Sequence, residues 1–317
     1  MTAAEVIIVG GGPAGSTCAW ELRQAGIETI ILDKQDFPRA KPCAGWITPR
    51  VVRNLRLKSD GYPHSFLRLD KLRLHFSGRS FSLPTRQFSI RRYEFDEWLL
   101  KRAGVPVYRH TVKEIGNDRD SYLLDGTYRC SYLVGAGGTH CPVYRAMFSE
   151  LNPRRADAQI TAVEAEVKCD PADRGCHLWF SERGLQGYSW YLPKGNGYLN
   201  VGVGGRSTAL EARGETIRDH WAHLARKLAD FGFADADALQ PNGHTYYLRH
   251  ATPTVQRDNA FIIGDAAGLA TKDLGEGIGP AVESGIRAAR AIIHRTEYSV
   301  KSIPKYSLPD LILPWRL

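Results

Sequence analysis

The run Val6-Ile7-Ile8-Val9 stops abruptly at Gly10-Gly11-Gly12-Pro13-Ala14-Gly15, and no other feature of the chain restricts its fold as much. Four consecutive β-branched residues suit a strand buried on both faces, as in a parallel sheet. The glycines break that strand, and Pro13 fits the first turn of a helix because the N–H it lacks would have no partner there. Ala14, Cys18, Ala19 and Leu22 form an apolar stripe along the helix, and Gly26 stops it. Residues 28–32 read as a second buried strand, so the segment is a βαβ unit with a right-handed crossover. In that setting Gly10-x-Gly12-x-x-Gly15 is a phosphate cradle. Gly10 permits the tight turn, Gly12 lets backbone approach a pyrophosphate, and Gly15 lets helix and strand close up, while Pro13 and Ala14 open the helix N-terminus toward the phosphates. Asp33, with Lys34 beside it, ends the second strand where a ribose hydroxyl can donate to a carboxylate.

Composition sets wider limits. At 317 residues the chain exceeds a typical single domain, which predicts two joined lobes with a core large enough to enclose a ligand. Lys and Arg number 42 against 34 Asp and Glu, a net charge of +8. That excess favours anionic partners: a phosphorylated substrate, NADPH or an acidic membrane surface. No zinc-finger, basic-zipper or aromatic RNA-binding pattern accompanies it, so nucleic acid is not expected. The six cysteines (18, 43, 130, 141, 169 and 176) form no CxxC pair. They read as reduced thiols, and no metal site is expected. Too few residues precede the first strand for a leader, which points to the cytoplasm.

Periodicity organises the rest. Leucine and phenylalanine alternate from 66 to 83, as in antiparallel strands. Residues 92–103 read as a helix, 105–134 as three strands, 160–168 and 176–205 as further strands, and 210–231 as one amphipathic helix. A last strand spans 259–263 and a last helix 277–294, ending in basic residues that suit its dipole. The predicted fold is α/β. A discontinuous Rossmann-type lobe takes 1–65, 92–157 and 255–297, and an antiparallel β-sheet lobe takes 66–91 and 158–254. The tail 298–317, with Leu308, Leu311, Ile312, Leu313 and Trp315, packs on the body or docks to a partner.

A glycine loop alone does not separate NAD from FAD. The distal segment Phe261-Ile262-Ile263-Gly264-Asp265-Ala266-Ala267-Gly268, followed by Gly275-Glu276-Gly277-Ile278-Gly279-Pro280-Ala281, resembles the second flavin signature of the para-hydroxybenzoate-hydroxylase-like flavoproteins. The resemblance implies FAD, with Gly264 and Asp265 at the ribityl chain and the backbone near Gly275, Gly277 and Ile278 at the flavin ring. A helix N-terminus there would stabilise an anionic reduced ring. Two further segments, Phe37-Pro38-Arg39-Ala40-Lys41-Pro42-Cys43-Ala44-Gly45-Trp46 and Tyr188-Ser189-Trp190-Tyr191-Leu192-Pro193, resemble the geranylgeranyl reductase family of flavoproteins. That family carries a Lys-x-Cys-Gly loop beside the flavin and a Tyr-x-Trp-x-Phe-Pro segment along a lipid cavity. Here Ala44 replaces a glycine and Leu192 a phenylalanine.

By the same resemblance Lys41, Cys43, Ala44 and Gly45 border the flavin, Arg92 in Arg92-Tyr93-Glu94-Phe95-Asp96 reaches the cofactor phosphates, and backbone at Val112 meets the adenine. Ala136 and Gly137 stand where monooxygenase relatives have Gly-Ala-Asp-Gly. The lost aspartate weakens a hydroxylase reading and leaves the electron donor open, NAD(P)H included. Cys43, as a thiol near the ring, is a candidate proton donor. Tyr188 and Trp190 alternate along a strand and so share one side, either as the wall of a substrate cavity or as sheet packing. The expected activity is flavin-mediated reduction or dehydrogenation of an apolar, isoprenoid-like substrate. The alternatives are a flavin monooxygenase or halogenase, with Lys41 as a candidate lysine, and an electron-transfer flavoprotein that docks to a redox partner protein.

Overall fold

The computed structural model describes residues 1–57, 61–118, 121–169, 173–233 and 239–312. They form two compact units, neither contiguous in sequence. One holds Met1–Arg39, Tyr93–Arg154 and Tyr247–Ser307, and the other holds Ala40–Arg92, Arg155–Tyr246 and the chain from Leu308.

The first unit contains β1 (Thr2–Val9), α1 (Pro13–Gln24), β2 (Thr29–Asp33), α3 (Arg92–Ala103), β6 (Val107–Arg109), β7 (Ile115–Asp118), β8 (Ser121–Leu124), β9 (Tyr128–Gly135), α4 (Pro142–Met147), β15 (Gln256–Arg257), β16 (Ala260–Ile262) and α7 (Ile278–His294). Its sheet runs β15-β16-β9-β1-β2-β6, with a β7–β8 ribbon on β9. The pairs of β1 with β2 and β9, and of β9 with β16, are parallel. Residues 105–134 thus make four strands, one more than the sequence predicts, because the short ribbon alternates too little to stand out. Val6, Ile7, Ile8, Ile31, Leu32, Leu133 and Val134 are fully buried, each stabilising the fold by roughly 1.5–3 kcal/mol. Helices α1 and α7 meet backbone to backbone: a Cβ on Gly285 would collide with Ala14 O and stand 3.2 Å from Cys18 N.

The second unit contains β3 (Trp46–Ile47), α2 (Pro49–Asn54), β4 (Phe66–Phe76), β5 (Arg79–Ile90), β10 (Gln159–Lys168), β11 (Cys176–Phe180), β12 (Gly187–Lys194), β13 (Tyr198–Arg206), α5 (Ser207–Ala212), α6 (Ile217–Asp230), β14 (Asn242–Tyr247) and α8 (Leu308–Ile312). Its sheet runs β14-β10-β13-β12-β11-β4-β5-β3. Trp179, Tyr191, Val201 and Val203 on one face pack with Trp221, Leu224 and Leu228 of α6. The helix expected over 210–231 is two helices. Gly214, at φ +64, ends the first, and Asp219 accepts from both the N–H and the hydroxyl of Thr216 to start the second.

Two boundaries differ from the sequence reading. Residues 40–65 pack with the second unit because β3 pairs with β5. The tail divides: Tyr298, Val300 and Ile303 are buried in the first core, whereas Asp310 of α8 accepts both Nε–H and Nη2–H of Arg50, each at 3.1 Å. Leu313 and Trp315 lie outside the described residues. No helix among the described residues is long and apolar enough to cross a membrane.

Candidate active site

Elements of the first unit meet at the glycine loop. Gly10 has φ +114, and a Cβ there would lie 2.8 Å from Gly137 N, so the loop is held against Ala136 and Gly137 at the end of β9. Gly12 is the N-cap of α1 and no side chain caps that end. Asp33 is buried, and its carboxylate accepts Gly11 N–H at 2.7 Å and Gln35 N–H at 2.9 Å. Its first task is therefore to hold the loop in shape, while each oxygen keeps lone-pair capacity for a ribose. Lys34 is exposed beside it, and Val112 is buried.

The arginine that stands at this loop is Arg39. Its Nη2 lies 3.6 Å from a Cβ placed on Gly12, it pairs with buried Asp96 at 3.6 Å, and its guanidinium lies over the Phe37 ring. The Nε–H is buried without a hydrogen-bond partner among the described residues. Arg92, which the resemblance assigns to the phosphates, is buried at the start of α3. Nothing in local sequence singles out Arg39, since a loop arginine is ordinarily solvated.

The distal flavin-like segment comes from far along the chain and packs in the same unit, beside the glycine loop. Gly264 has φ +59 and donates its N–H to Ser284 Oγ at 2.9 Å, and a Cβ on it would touch Ala14 Cβ at 3.1 Å. Asp265 is half-buried, and a Cβ on Gly277 would stand 3.4 Å from its Oδ1. Gly275, at φ +64, turns the chain before Gly277 caps Ile278 and α7. At that helix end the Glu276 carboxylate accepts Gly279 N–H at 2.5 Å, one of the first-turn N–H groups that have no partner inside a helix.

In the second unit Tyr188 and Trp190 share the sheet face opposite α6, with ring centroids 5.9 Å apart. They pair in register with Gly204 and Gly202, and the Trp190 ring occupies the space a Cβ on Gly202 would need. A buried polar chain leads away from it. Trp190 Nε1–H donates to Asn200 Oδ1 at 2.7 Å, and Asn200 Nδ2–H donates to Glu164 Oε2 at 3.2 Å. Glu164 in turn accepts the backbone N–H of Cys43, and burial holds its carboxyl above the usual range. From the same face Lys194 donates to Ala44 O, to Gly45 O at 3.4 Å and to Ile90 O at 2.8 Å. Burial lowers the Lys194 ammonium to about 8, opposed by nearby Glu166. The Cys43-Ala44-Gly45 loop is thus gripped from the sheet by an acid and a base, with Cys43 half-buried and its Sγ accepting Gly45 N–H at 3.4 Å. Lys41 meets His244 Nε2 at 2.8 Å. Glu164, Asn200 and Lys194 escape sequence reasoning because only strand register brings them together.

Comparison with known proteins decides what these sites belong to. A family model described as FAD binding domain matches residues 3–68. Menaquinone reductase of Mycobacterium tuberculosis (strain H37Rv) is 31% identical over 326 residues, spanning 92% of this chain and 77% of its own. Geranylgeranyl diphosphate reductase of Rhodobacter capsulatus is 27% identical over 90% of this chain and 74% of its own. The solved structure of a geranylgeranyl bacteriochlorophyll reductase-like protein from Thermoplasma acidophilum superposes with a TM-score of 0.77 at 19% identity, covering 93% and 79%. The chain belongs to the geranylgeranyl reductase family. It is an FAD-dependent oxidoreductase.

The residues of this flavoprotein fit that cofactor. An uncapped α1 N-terminus and the Arg39 Nε–H, without a partner among the described residues, are donors suited to a pyrophosphate, and the close backbone approach at Gly10 tolerates no side chain.

Proposed function

We propose that this flavoprotein hydrogenates a carbon–carbon double bond in an apolar, isoprenoid-like substrate. In this reading the pyrophosphate of FAD is held by Gly12, Pro13, Ala14 and Arg39, its ribose by Asp33, its adenine by backbone at Val112, and its ribityl chain by Asp265. Bound FAD, once reduced, supplies the hydride. Tyr188 and Trp190 bind and orient the alkene and exclude water from it, and Cys43 Sγ–H delivers the proton to the second carbon, to be replaced from solvent. Menaquinone and geranylgeranyl diphosphate, named for the relatives, are the first substrates to try.

One observation carries the reading: two aromatic rings lie on a glycine-floored sheet face, and one of them, Trp190, is joined by hydrogen bonds through Asn200 and Glu164 to the loop that holds a half-buried thiol. That assembly suits an apolar ligand held beside a proton source. The test is to reduce the FAD-loaded protein anaerobically with dithionite, NADH or NADPH and mix it with either substrate in detergent micelles. Flavin reoxidation with a product heavier by H2 is the expected result. Reoxidation by oxygen alone, with an oxygenated or halogenated product, would overturn it. Trp190→Phe, which keeps a ring but loses the N–H, should slow turnover at unchanged FAD content.

A further inference from the structure

The sheet face that carries Trp190 continues past Tyr188. The Tyr188 ring lies 5.4 Å from Phe180, Phe180 is side by side with Phe76 in the parallel β11–β4 register, and across β4–β5 Phe81 lies opposite Leu74 and Leu83 opposite Leu72. Residues paired in register share a face, so these side chains form one apolar track on the side away from α6. Its far end is the tip of the β4–β5 hairpin. There Phe76 and Phe81 are 53% and 56% exposed, the only exposed phenylalanines among the described residues.

The tip closes on a tight turn, and the hairpin that it ends is basic. Phe76 and Arg79 pair across a two-residue turn whose Ser77 and Gly78 have φ +50 and +75, the mirror-image geometry that matches strand twist. Residues 66–90 hold five basic side chains against the single acid Asp70, so this hairpin alone carries half of the net charge of +8. An exposed aromatic pair with a cation between them, at the end of a hairpin of net positive charge, is a composition that partitions into the headgroup zone of an anionic bilayer. Strand addition by a second copy is disfavoured at the same edge, because Pro84 lacks a donor and Arg86 brings charge.

We propose that the β4–β5 tip docks this protein to an anionic phospholipid bilayer, with Phe76 and Phe81 inserted among the headgroups and Arg79 on a lipid phosphate. The track from Phe180 to Trp190 then takes up a lipid-soluble substrate from that bilayer. Uptake rests on the substrate reading above, whereas docking does not.

The test is co-sedimentation of the FAD-loaded full chain with vesicles of phosphatidylcholine, with and without phosphatidylglycerol. Binding should appear with phosphatidylglycerol and weaken in high salt. The double variant Phe76→Ser/Phe81→Ser should bind at least about tenfold more weakly, with melting temperature and FAD content unchanged because both rings are exposed. It should also turn over substrate in micelles like the parent while losing turnover of the same substrate embedded in vesicles. Absence of vesicle binding by the parent, equal binding by the double variant, or a parent dimer that the substitutions split without vesicles would each overturn docking. A parent that binds vesicles yet turns over substrate in neither form leaves docking supported and removes the substrate reading instead.

Discussion

The two sheets use their residues in different ways. In the first, most candidate contacts to FAD sit at a strand end or a helix start and are made by backbone: the Gly10–Gly15 loop, Ala136 and Gly137 after β9, Gly264 after β16. Side chains add to that frame, Asp33 by holding Gly11 N–H and Arg39 by standing at Gly12. In the second, the candidate site is made by side chains on one sheet face, Tyr188 and Trp190 with Glu164, Asn200 and Lys194 beside them. The opposite face packs mostly apolar side chains under α6, with His177 packed among the rings of Trp179 and Phe231. The face with Trp190 instead buries Glu164, Asn200 and Lys194, which cost desolvation free energy that aliphatic residues would not. Polar groups in that position hold the Cys43 loop at a defined place.

Three measurements would break or sharpen this contrast. The largest effect should come from Trp221→Ala on α6, which removes a core ring and should cost about 3–5 kcal/mol of stability. Turnover per folded, FAD-loaded molecule should stay near that of the parent, and a normal urea midpoint would show that the α6 face is not the structural one. Next is Lys194. Buried, it releases its proton at about 8 in the folded chain against an ordinary value of 10.5. Below that window both states are protonated and the burial cost is carried in full. Within it the unfolded chain binds more protons, so stability rises with pH, by up to ~3 kcal/mol. Lys194→Met should abolish that rise, read as urea midpoints across the window; a rise that survives would place the titration elsewhere. The smallest effect is expected for Asp33→Ala, which should weaken FAD binding by about 1.5–3 kcal/mol and leave the second sheet untouched. Fluorescence titration of the apoprotein with FAD gives the answer, and an unchanged dissociation constant would remove Asp33 from the cradle.

The same contrast explains what could be read from sequence. The βαβ unit, its glycines and Asp33 were legible because their spacing is local: strand, turn, helix and acid follow within one stretch of chain. The pairing of Tyr188 with Trp190 was legible too, since residues two apart on a strand share a face. Glu164, Asn200 and Lys194 were not, because an isolated acid, amide or lysine in a strand looks like a solvated one, and only the β10–β13–β12 register turns all three inward. Arg39 was missed for a similar reason, its place being set by Asp96 from a distant helix. The break between α5 and α6 was visible in Gly214 and Thr216, but the apolar period runs on across it and hid it.

The order of strands in the first sheet also has a consequence for synthesis. Ile7 pairs with Leu133, and Leu133 with Ala260, so the glycine loop leaves the ribosome long before the strands that brace it. Until β9 arrives, one edge of β1 is an apolar strand without its neighbour, and until β16 arrives the Gly264 side of the cradle does not exist. Such distant pairings fold slowly and leave sticky edges exposed meanwhile. FAD, which binds only the completed cradle, then acts late, drawing nearly finished chains into the native state. Flavin supply during expression should therefore govern how much of the protein is recovered, apart from any role in turnover.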